Sequence, residues 1–273
     1  MTRIVFALYP GVTQLDFTGP HQVFSRLPGA RVECASLTGE AVEADGLVFS
    51  GLAKLAEVEG CDVLCVPGGY GTTEAIQNPE FLAHIRRLAE GATYVTSVCT
   101  GSLILAAAGL LKGKRAACHW AWRDQLALFG AIPDPARVVR DGNIVTGGGV
   151  TAGIDFALTL SAEIAGPEAA QAIQLAIEYA PAPPFNSGRP ETAPPEVLER
   201  INGSDRLATL YFFSSAYGWN RLVYTPSVLR KSLHLLRLQH ADNHQSRCRG
   251  AIHRIRVARM EDVPGTARRH PHQ

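Results

Sequence analysis

Residues 93–111 read TYVTSVCTGSLILAAAGLL, in which a strand-like run passes almost directly into a helix-like run. Tyr94–Val98 is short, apolar and rich in β-branched residues, as is typical of a central strand buried on both faces. Gly101–Leu110 is rich in Ala and Leu, which favours a packed helix, and Gly109 stands near its end. No room remains for a loop between the two runs. The sequence therefore predicts a nucleophile elbow centred on Cys99.

Such an elbow holds one side chain at the carboxyl edge of the sheet, over the first turn of the helix. Unpaired N–H groups at a helix N-terminus favour a thiolate over a thiol, so Cys99 is a candidate nucleophile. A buried structural cysteine is the alternative, since free Cys often lies in apolar runs. The neighbouring Thr100 and Gly101 favour the nucleophile.

Strand-like and helix-like stretches alternate through residues 1–165, which predicts a mostly parallel sheet covered by helices on both faces. The predicted strands are Ile4–Tyr9, Arg31–Leu37, Cys61–Pro67, Tyr94–Val98 and Lys114–His119, with hairpins at Asp45-Gly46 and Asp141-Gly142. Predicted helices begin at His21, Glu80, Gly101, Trp120, Thr151 and Pro167.

Several polar or glycine positions follow these strands at the same edge of the sheet. Asp16 lies in the loop after the first strand, where open α/β sheets place their ligands; capping the next helix is the alternative. Gly68 and Gly69 follow another strand and allow backbone N–H groups to approach an anion or oxyanion, or form a plain tight turn. His119 ends a further strand, where a structural hydrogen bond is the alternative to a catalytic role.

The composition is that of a globular protein of 273 residues, with 46% hydrophobic and 19% charged residues. The six cysteines form no disulfide framework and have no metal-ligand spacing, so we expect a reduced, cytoplasmic protein without a metal. The N-terminal residues lack the pattern of a signal peptide, and no apolar run reaches the roughly 18 residues of a membrane span.

The charge is divided unevenly along the chain. Residues 1–203 carry a net charge of −7, whereas residues 204–273 carry +8 and six of the nine histidines. We expect an α/β domain over residues 1–180, a Pro-rich extended segment over 181–203 and a basic, His-rich, poorly ordered tail over 204–273. A nucleic-acid-binding arm is the alternative for the tail, but no recognised binding fold supports a nucleic-acid partner.

The chain resembles the DJ-1/PfpI superfamily, and within it the bacterial isocyanide hydratases, in VTSVCTGSLILAAAGLLKGKRAACHW, QLDFTGPH, the PGG turn, VTGGGVTAGIDFALTLSAEI and IEYAPAPPFN. The likeness extends from Ile4 to about Pro195. It implies a flavodoxin-like three-layer sandwich of the class I glutamine amidotransferase type, with an atypical C-terminal tail. It also implies a homodimer, and catalysis by a cysteine thiolate without metal or organic cofactor.

The resemblance assigns roles to particular residues. Cys99 matches the nucleophile, Asp16 the general acid and base, and Thr100 the threonine that positions catalytic hydrogen bonds. Val150 stands where the family has an isoleucine whose backbone N–H contacts the thiolate. Thr100 replaces the His of peptidase-like members, so no Cys–His dyad of that type is expected. The candidate substrate-binding or oxyanion-binding residues are Gly68, Gly69, Val150, His119 and Trp120.

The activity implied by this resemblance is hydration of an isocyanide to an N-formamide through a thioimidate on Cys99, with the isocyanide and water as small-molecule partners. Asp16 serves first as acid and then as base, so we expect its pKa to be raised by a partly apolar pocket. A non-catalytic redox sensor or stress protein is one alternative, since an elbow thiolate also oxidises readily. The ligand-sensing domain of a transcription regulator is another.

Overall fold

A computed structural model describes residues 1–201 of the chain. The strands are β1 (Thr2–Leu8), β2 (Ala30–Ser36), β3 (Val42–Ala44), β4 (Leu47–Phe49), β5 (Ala53–Lys54), β6 (Val63–Val66), β7 (Tyr94–Val98), β8 (Arg115–Ala116), β9 (Ile132–Pro133), β10 (Val138–Asp141) and β11 (Ile144–Gly147). The helices are α1 (Gln14–Phe24), α2 (Thr72–Gln77), α3 (Pro79–Gly91), α4 (Gly101–Ala107), α5 (Ala152–Ala165) and α6 (Pro167–Ala176). Short 3₁₀ helices cover Leu55–Glu57 and Arg123–Phe129.

The central sheet has seven strands in the order β10-β11-β7-β6-β1-β2-β5. All neighbours in it are parallel except β10 and β11, which form the predicted hairpin. The chain passes from β1 to β2 and β5 on one side, then returns to place β6 on the other side of β1. The order therefore reverses between β1 and β6, and open α/β sheets bind their ligands in the crevice at such a switch point.

Helices cover both faces of this sheet. On one face α1 packs against α5, and α5 against α6; on the other, α4 contacts both α2 and α3. Phe24 connects the sheet to the first layer, with ring centroids 6.4 Å from Phe6 and 5.8 Å from Phe156. The predicted three-layer sandwich with a mostly parallel sheet is confirmed.

Helix α1 begins earlier than the sequence predicts. It starts at Gln14 instead of His21, so Asp16 lies in its first turn and not in a loop. Gly19 and Pro20 favour a break in an isolated helix, but here both are buried. A side chain on Gly153 of α5 would come within 2.9 Å of Pro20. Close packing of two helices therefore outweighs the local preference.

The prediction of a central-sheet strand over residues 114–119 is wrong. Only Arg115–Ala116 is a strand, and it pairs with β9 in a separate two-stranded sheet. The β10 hairpin strand already occupies the sheet edge beside β11, so no position remains there for these residues. The helix predicted to begin at Trp120 is a 3₁₀ helix over Arg123–Phe129.

The Pro-rich stretch after α6 has no regular structure over residues 179–194, whereas residues 195–201 are helical. The predicted extended segment, residues 181–203, therefore contains a helix. The predicted basic tail, residues 204–273, lies outside the described residues. Within residues 1–201 no helix is long and apolar enough to cross a membrane.

A side chain at Gly101 would disrupt the elbow. A Cβ at this position would collide with the Val66 carbonyl oxygen and lie 2.9 Å from Pro67 backbone atoms. We expect Gly101→Ala to lower the free energy of unfolding by about 3 kcal/mol, because backbone at the end of β6 cannot retreat without breaking the sheet. Urea denaturation measures this loss. Gly91→Ala is the matched control, since a Cβ there meets no atom within 4 Å; equal losses in the two variants would contradict the expectation.

Candidate active site

Cys99 forms the predicted elbow between β7 and α4. Its φ of 58° lies in the left-handed region, which costs a residue with a side chain on the order of 1 kcal/mol. Its N–H donates to the carbonyl oxygens of Gly147 at 3.1 Å and Gly148 at 2.8 Å. These bonds tie the elbow to the glycine-rich turn after β11. The strained conformation is thus held from the neighbouring strand.

Asp16 faces this elbow from the first turn of α1. Thr13 occupies the N-cap position of that helix, and no side-chain cap bond is made there, so the capping interpretation of Asp16 is wrong. The carboxyl group is fully buried, and its Oδ2 accepts a hydrogen bond from Gly68 N–H at 3.0 Å. Its Oδ1 accepts none from a nitrogen or oxygen donor of residues 1–201.

Burial changes the acidity of both groups in the pair. It raises the pKa of Asp16 to about 7, against the lowering effects of the Cys99 thiol and of Gly68 N–H. The raised pKa expected for Asp16 is confirmed. Burial also raises the pKa of the Cys99 thiol well above its ordinary value, and the Asp16 charge raises it further, although Thr100 N–H lowers it. Burial thus acts on the thiol in the opposite direction to the helix terminus, and the thiolate expected at Cys99 stays a prediction.

Burial thus favours the protonated form of both groups, and the Asp16 carboxyl gives up its proton at a pH of about 7. A sulfur nucleophile and a proton donor are thus available together in one buried pair.

Gly68 and Gly69 hold this pair in place. A Cβ on Gly68 would lie 2.8 Å from Asp16 Oδ2 and 2.6 Å from Thr100 Oγ1, so only glycine fits there. Gly69 has φ 150°, which also favours glycine, and its N–H donates to Thr100 Oγ1 at 2.9 Å. Both N–H groups are thus engaged by side chains of the site.

Hydrogen bonds connect Thr100 to two buried hydroxyl residues, Thr72 and Tyr9, that the sequence did not single out. Thr72 Oγ1 lies 2.8 Å from Thr100 Oγ1 and 3.1 Å from the Tyr9 hydroxyl. The Tyr9 hydroxyl donates to the Pro67 carbonyl at 2.9 Å. A signal was available, because Tyr9 follows the first strand and Thr72 follows the PGGYG turn, where parallel strands meet at one edge.

The remaining candidate residues lie near the turn that carries Val150. A Cβ on Gly149 would be 3.6 Å from the His119 ring, and His119 and Trp120 have ring centroids 5.5 Å apart. All three candidates are half-buried, and Val150 packs against the core. His119 Nδ1 also accepts from Ala121 N–H at 3.4 Å, in keeping with the structural alternative. The contact between Val150 N–H and the Cys99 sulfur stays a prediction.

The cysteines found in the described part of the chain are all free thiols. Within residues 1–201 no group of three or more His, Cys, Asp or Glu side chains is arranged to hold a metal ion.

A sheet with a topological switch point, a cysteine at a strained strand-to-helix elbow and a buried carboxyl beside it define an α/β protein of the nucleophile-elbow class. The model of the DJ-1/PfpI family matches residues 2–163. The chain belongs to the DJ-1/PfpI family.

Several known proteins are similar to this chain over most of their own length. Over 198 residues the chain is 52% identical to an isonitrile hydratase of Pseudomonas putida, a match that covers 72% of this chain and 87% of that protein. A THiJ/PfpI family protein from Pseudomonas syringae superposes with a TM-score of 0.76 at 43% identity, covering 79% of this chain and 90% of the other. Drosophila melanogaster DJ-1beta gives a TM-score of 0.60 at 27% identity, covering 66% and 99%.

Burial of Asp16 has a measurable effect on stability. Because its pKa rises from 3.8 to about 7 on folding, the folded state loses stability as the pH rises from about 4 to 7, by about 4 kcal/mol. We expect Asp16→Asn to lack this loss and to be more stable than the parent at about pH 8, with little difference at about pH 4. Urea denaturation at both pH values measures it. Asp124→Asn, at an exposed carboxyl, should follow the parent; a parent as stable as Asp16→Asn at the higher pH would contradict the expectation.

Proposed function

We propose that this protein hydrates an isocyanide to an N-formamide, with Cys99 as nucleophile and Asp16 as general acid and then base. The observation that carries the proposal is the buried Cys99–Asp16 pair, in which a carboxyl group of raised pKa lies beside the thiol at the elbow. The 52% identity to an isonitrile hydratase supports the substrate class, since isonitrile and isocyanide name the same functional group. The protein is on this basis a hydro-lyase.

The first step uses both members of the pair. The Cys99 thiol passes its proton to the Asp16 carboxylate as the sulfur forms a bond to the terminal carbon of the isocyanide, and Asp16 then delivers that proton to the same carbon. The product is a thioimidate on Cys99, with Asp16 left as a carboxylate. One proton is required and one is present, so no further acid takes part.

Water completes the reaction. The Asp16 carboxylate takes a proton from water and passes it to the thioimidate nitrogen, while the water oxygen bonds to the carbon. The C–S bond of the resulting tetrahedral adduct then breaks as its hydroxyl proton returns to the Cys99–Asp16 pair. An N-formamide leaves, and the pair again holds one proton. One isocyanide and one water have been consumed.

Thr100, Gly68 and Gly69 have positioning roles in this scheme. Gly68 N–H holds the carboxylate, and Gly69 N–H is bonded to the Thr100 hydroxyl, so the elbow and the turn are fixed relative to each other. We propose that the substrate contacts Val150, His119 and Trp120 beside the glycine-rich turn after β11. A homodimer and a cytoplasmic location remain expectations from the family resemblance.

The environment of Cys99 favours hydration over redox sensing. Sensor cysteines are accessible thiols of low pKa, because the thiolate is the form that oxidises. Cys99 is only 6% exposed, and burial raises its pKa. A raised pKa leaves little thiolate for an oxidant to attack, whereas the proposed hydration begins from a thiol and a carboxylate that exchange a proton.

The assigned roles predict distinct losses of activity. We expect Cys99→Ala and Cys99→Ser to abolish formamide production, and Asp16→Asn to lower kcat by about a hundredfold or more, the usual scale for loss of a general acid–base group. Thr100→Val should keep measurable activity. Mass spectrometry of the parent mixed with an aryl or alkyl isocyanide should detect a transient adduct on Cys99. Cys34→Ala, a cysteine change on β2, is the control expected to leave turnover unchanged. Formamide production at the parental rate by Cys99→Ala would refute the assignment.

The raised pKa of Asp16 leads to a prediction for the pH profile of kcat/KM. Below the pKa of about 7 the carboxyl and the thiol are both protonated, and no base is present to release the sulfur. We therefore expect kcat/KM to rise tenfold per pH unit on the acid side and to level off above about pH 7. Residual turnover by Asp16→Asn should lack this limb. A kcat/KM that falls as the pH rises through 7 would mean that the doubly protonated pair is the active form.

A further inference from the structure

Tyr9 is a buried ionisable residue that the proposed reaction does not use. It is 5% exposed, and its hydroxyl lies between the Pro67 carbonyl and Thr72. Burial raises its pKa well above the ordinary value, so the hydroxyl keeps its proton.

The geometry fixes the direction of a chain of hydrogen bonds. A carbonyl oxygen only accepts, so the Tyr9 proton is committed to Pro67. Thr72 must then donate to Tyr9, because Tyr9 has no second proton to give.

The next bond in the chain is the one between Thr72 and Thr100. With its own proton given to Tyr9, Thr72 accepts from Thr100 at 2.8 Å, the shorter of the two contacts open to the Thr100 proton, since the Gly69 carbonyl oxygen lies at 3.4 Å. The oxygen of Thr100 in turn accepts from Gly69 N–H at 2.9 Å.

This chain ends on Asp16. The Pro67 carbonyl and Gly68 N–H belong to one peptide unit, with the Tyr9 hydroxyl bonded to its oxygen and Asp16 Oδ2 bonded to its N–H at 3.0 Å. Hydrogen bonds aligned in one direction polarise one another, so a donor at the carbonyl makes the N–H of the same unit a stronger donor.

We propose that Tyr9 and Thr72 are positioning residues that strengthen the hydrogen bond from Gly68 N–H to Asp16 and thereby stabilise its carboxylate form. The assignment relies on the proposed function only in treating Asp16 as the acid–base group. Neither hydroxyl touches the reacting atoms.

Other groups act on Asp16 independently of this chain. Cys99 and Gly68 N–H lower its pKa, and the Asp45 charge raises it, while Cys118 also interacts with its charge. Changes at Tyr9 or Thr72 remove none of these side chains. Tyr9 interacts directly with the Asp16 charge only when it is ionised, and burial raises its pKa well above the ordinary value, so a shift in the titration of Asp16 in such variants reports on the hydrogen-bond chain.

The test is a titration of the Asp16 carboxyl that needs no substrate. Infrared spectroscopy of the full chain follows the protonated-carboxyl band that Asp16→Asn lacks, and kcat/KM is measured in parallel. We expect Tyr9→Phe to raise the midpoint by about half a pH unit or more and Thr72→Val by less, because the latter leaves the Tyr9 donor in place. The acid limb of kcat/KM should move by the same amounts.

Two variants separate this effect from a general loss of stability. Thr72→Ser restores the hydroxyl and should restore the midpoint. Thr96→Val removes a buried hydroxyl in β7 that donates to Leu64, outside the chain, and should leave the midpoint unchanged. If Tyr9→Phe does not fold, the comparison of Thr72→Val with Thr72→Ser decides the matter.

The outcomes distinguish the two proposals. An unchanged or lowered midpoint in the variants that lack a chain hydroxyl would overturn the positioning role. A raised midpoint with no isocyanide turnover in the parent would support the positioning role and overturn the proposed function.

Discussion

Burial of the Asp16 carboxyl beside the Cys99 thiol is the constraint on which the rest of the site depends. Water would lower the pKa of this carboxyl and remove its proton, so the folded state excludes water and accepts a loss of stability. The Cys99 thiol and a hydrogen bond from Gly68 N–H offset part of that loss. The second carboxylate oxygen has no nitrogen or oxygen donor among residues 1–201.

The close contacts around the pair explain why glycine recurs there. Gly68 lies against both Asp16 and Thr100, and Gly101 lies against the backbone at the end of β6. Cys99 is a second local constraint beside these glycines. Its side chain leaves the end of the strand in a left-handed backbone conformation, which is strained for a residue with a side chain. Glycine is needed at these two positions because neighbouring atoms leave no space for a Cβ. The same close packing holds Cys99 and Asp16 in place.

Sequence patterns predicted most of the fold, but only part of the site. The elbow at Cys99 was predictable because strand and helix propensities change within three residues, and the placement of Asp16 followed from the edge to which parallel strands point. The start of α1 could not be predicted, because it depends on packing against α5. The acidity of Cys99 could not be predicted either, because it depends on desolvation. Neither quantity is a property of a local stretch of chain. The residue roles themselves stay predictions.

The site also couples three neighbouring strands of the sheet. Strand β1 is followed by Tyr9 and Asp16, β6 by Gly68, and β7 by Cys99 and Thr100. Hydrogen bonds cross twice between these groups, once through the hydroxyls and once through Gly68 N–H. The proton affinity of the carboxyl therefore depends on the spacing of β1, β6 and β7, which the buried core fixes. The strand order reverses between β1 and β6, so the topology places the buried carboxyl at the switch point where open α/β sheets bind their ligands.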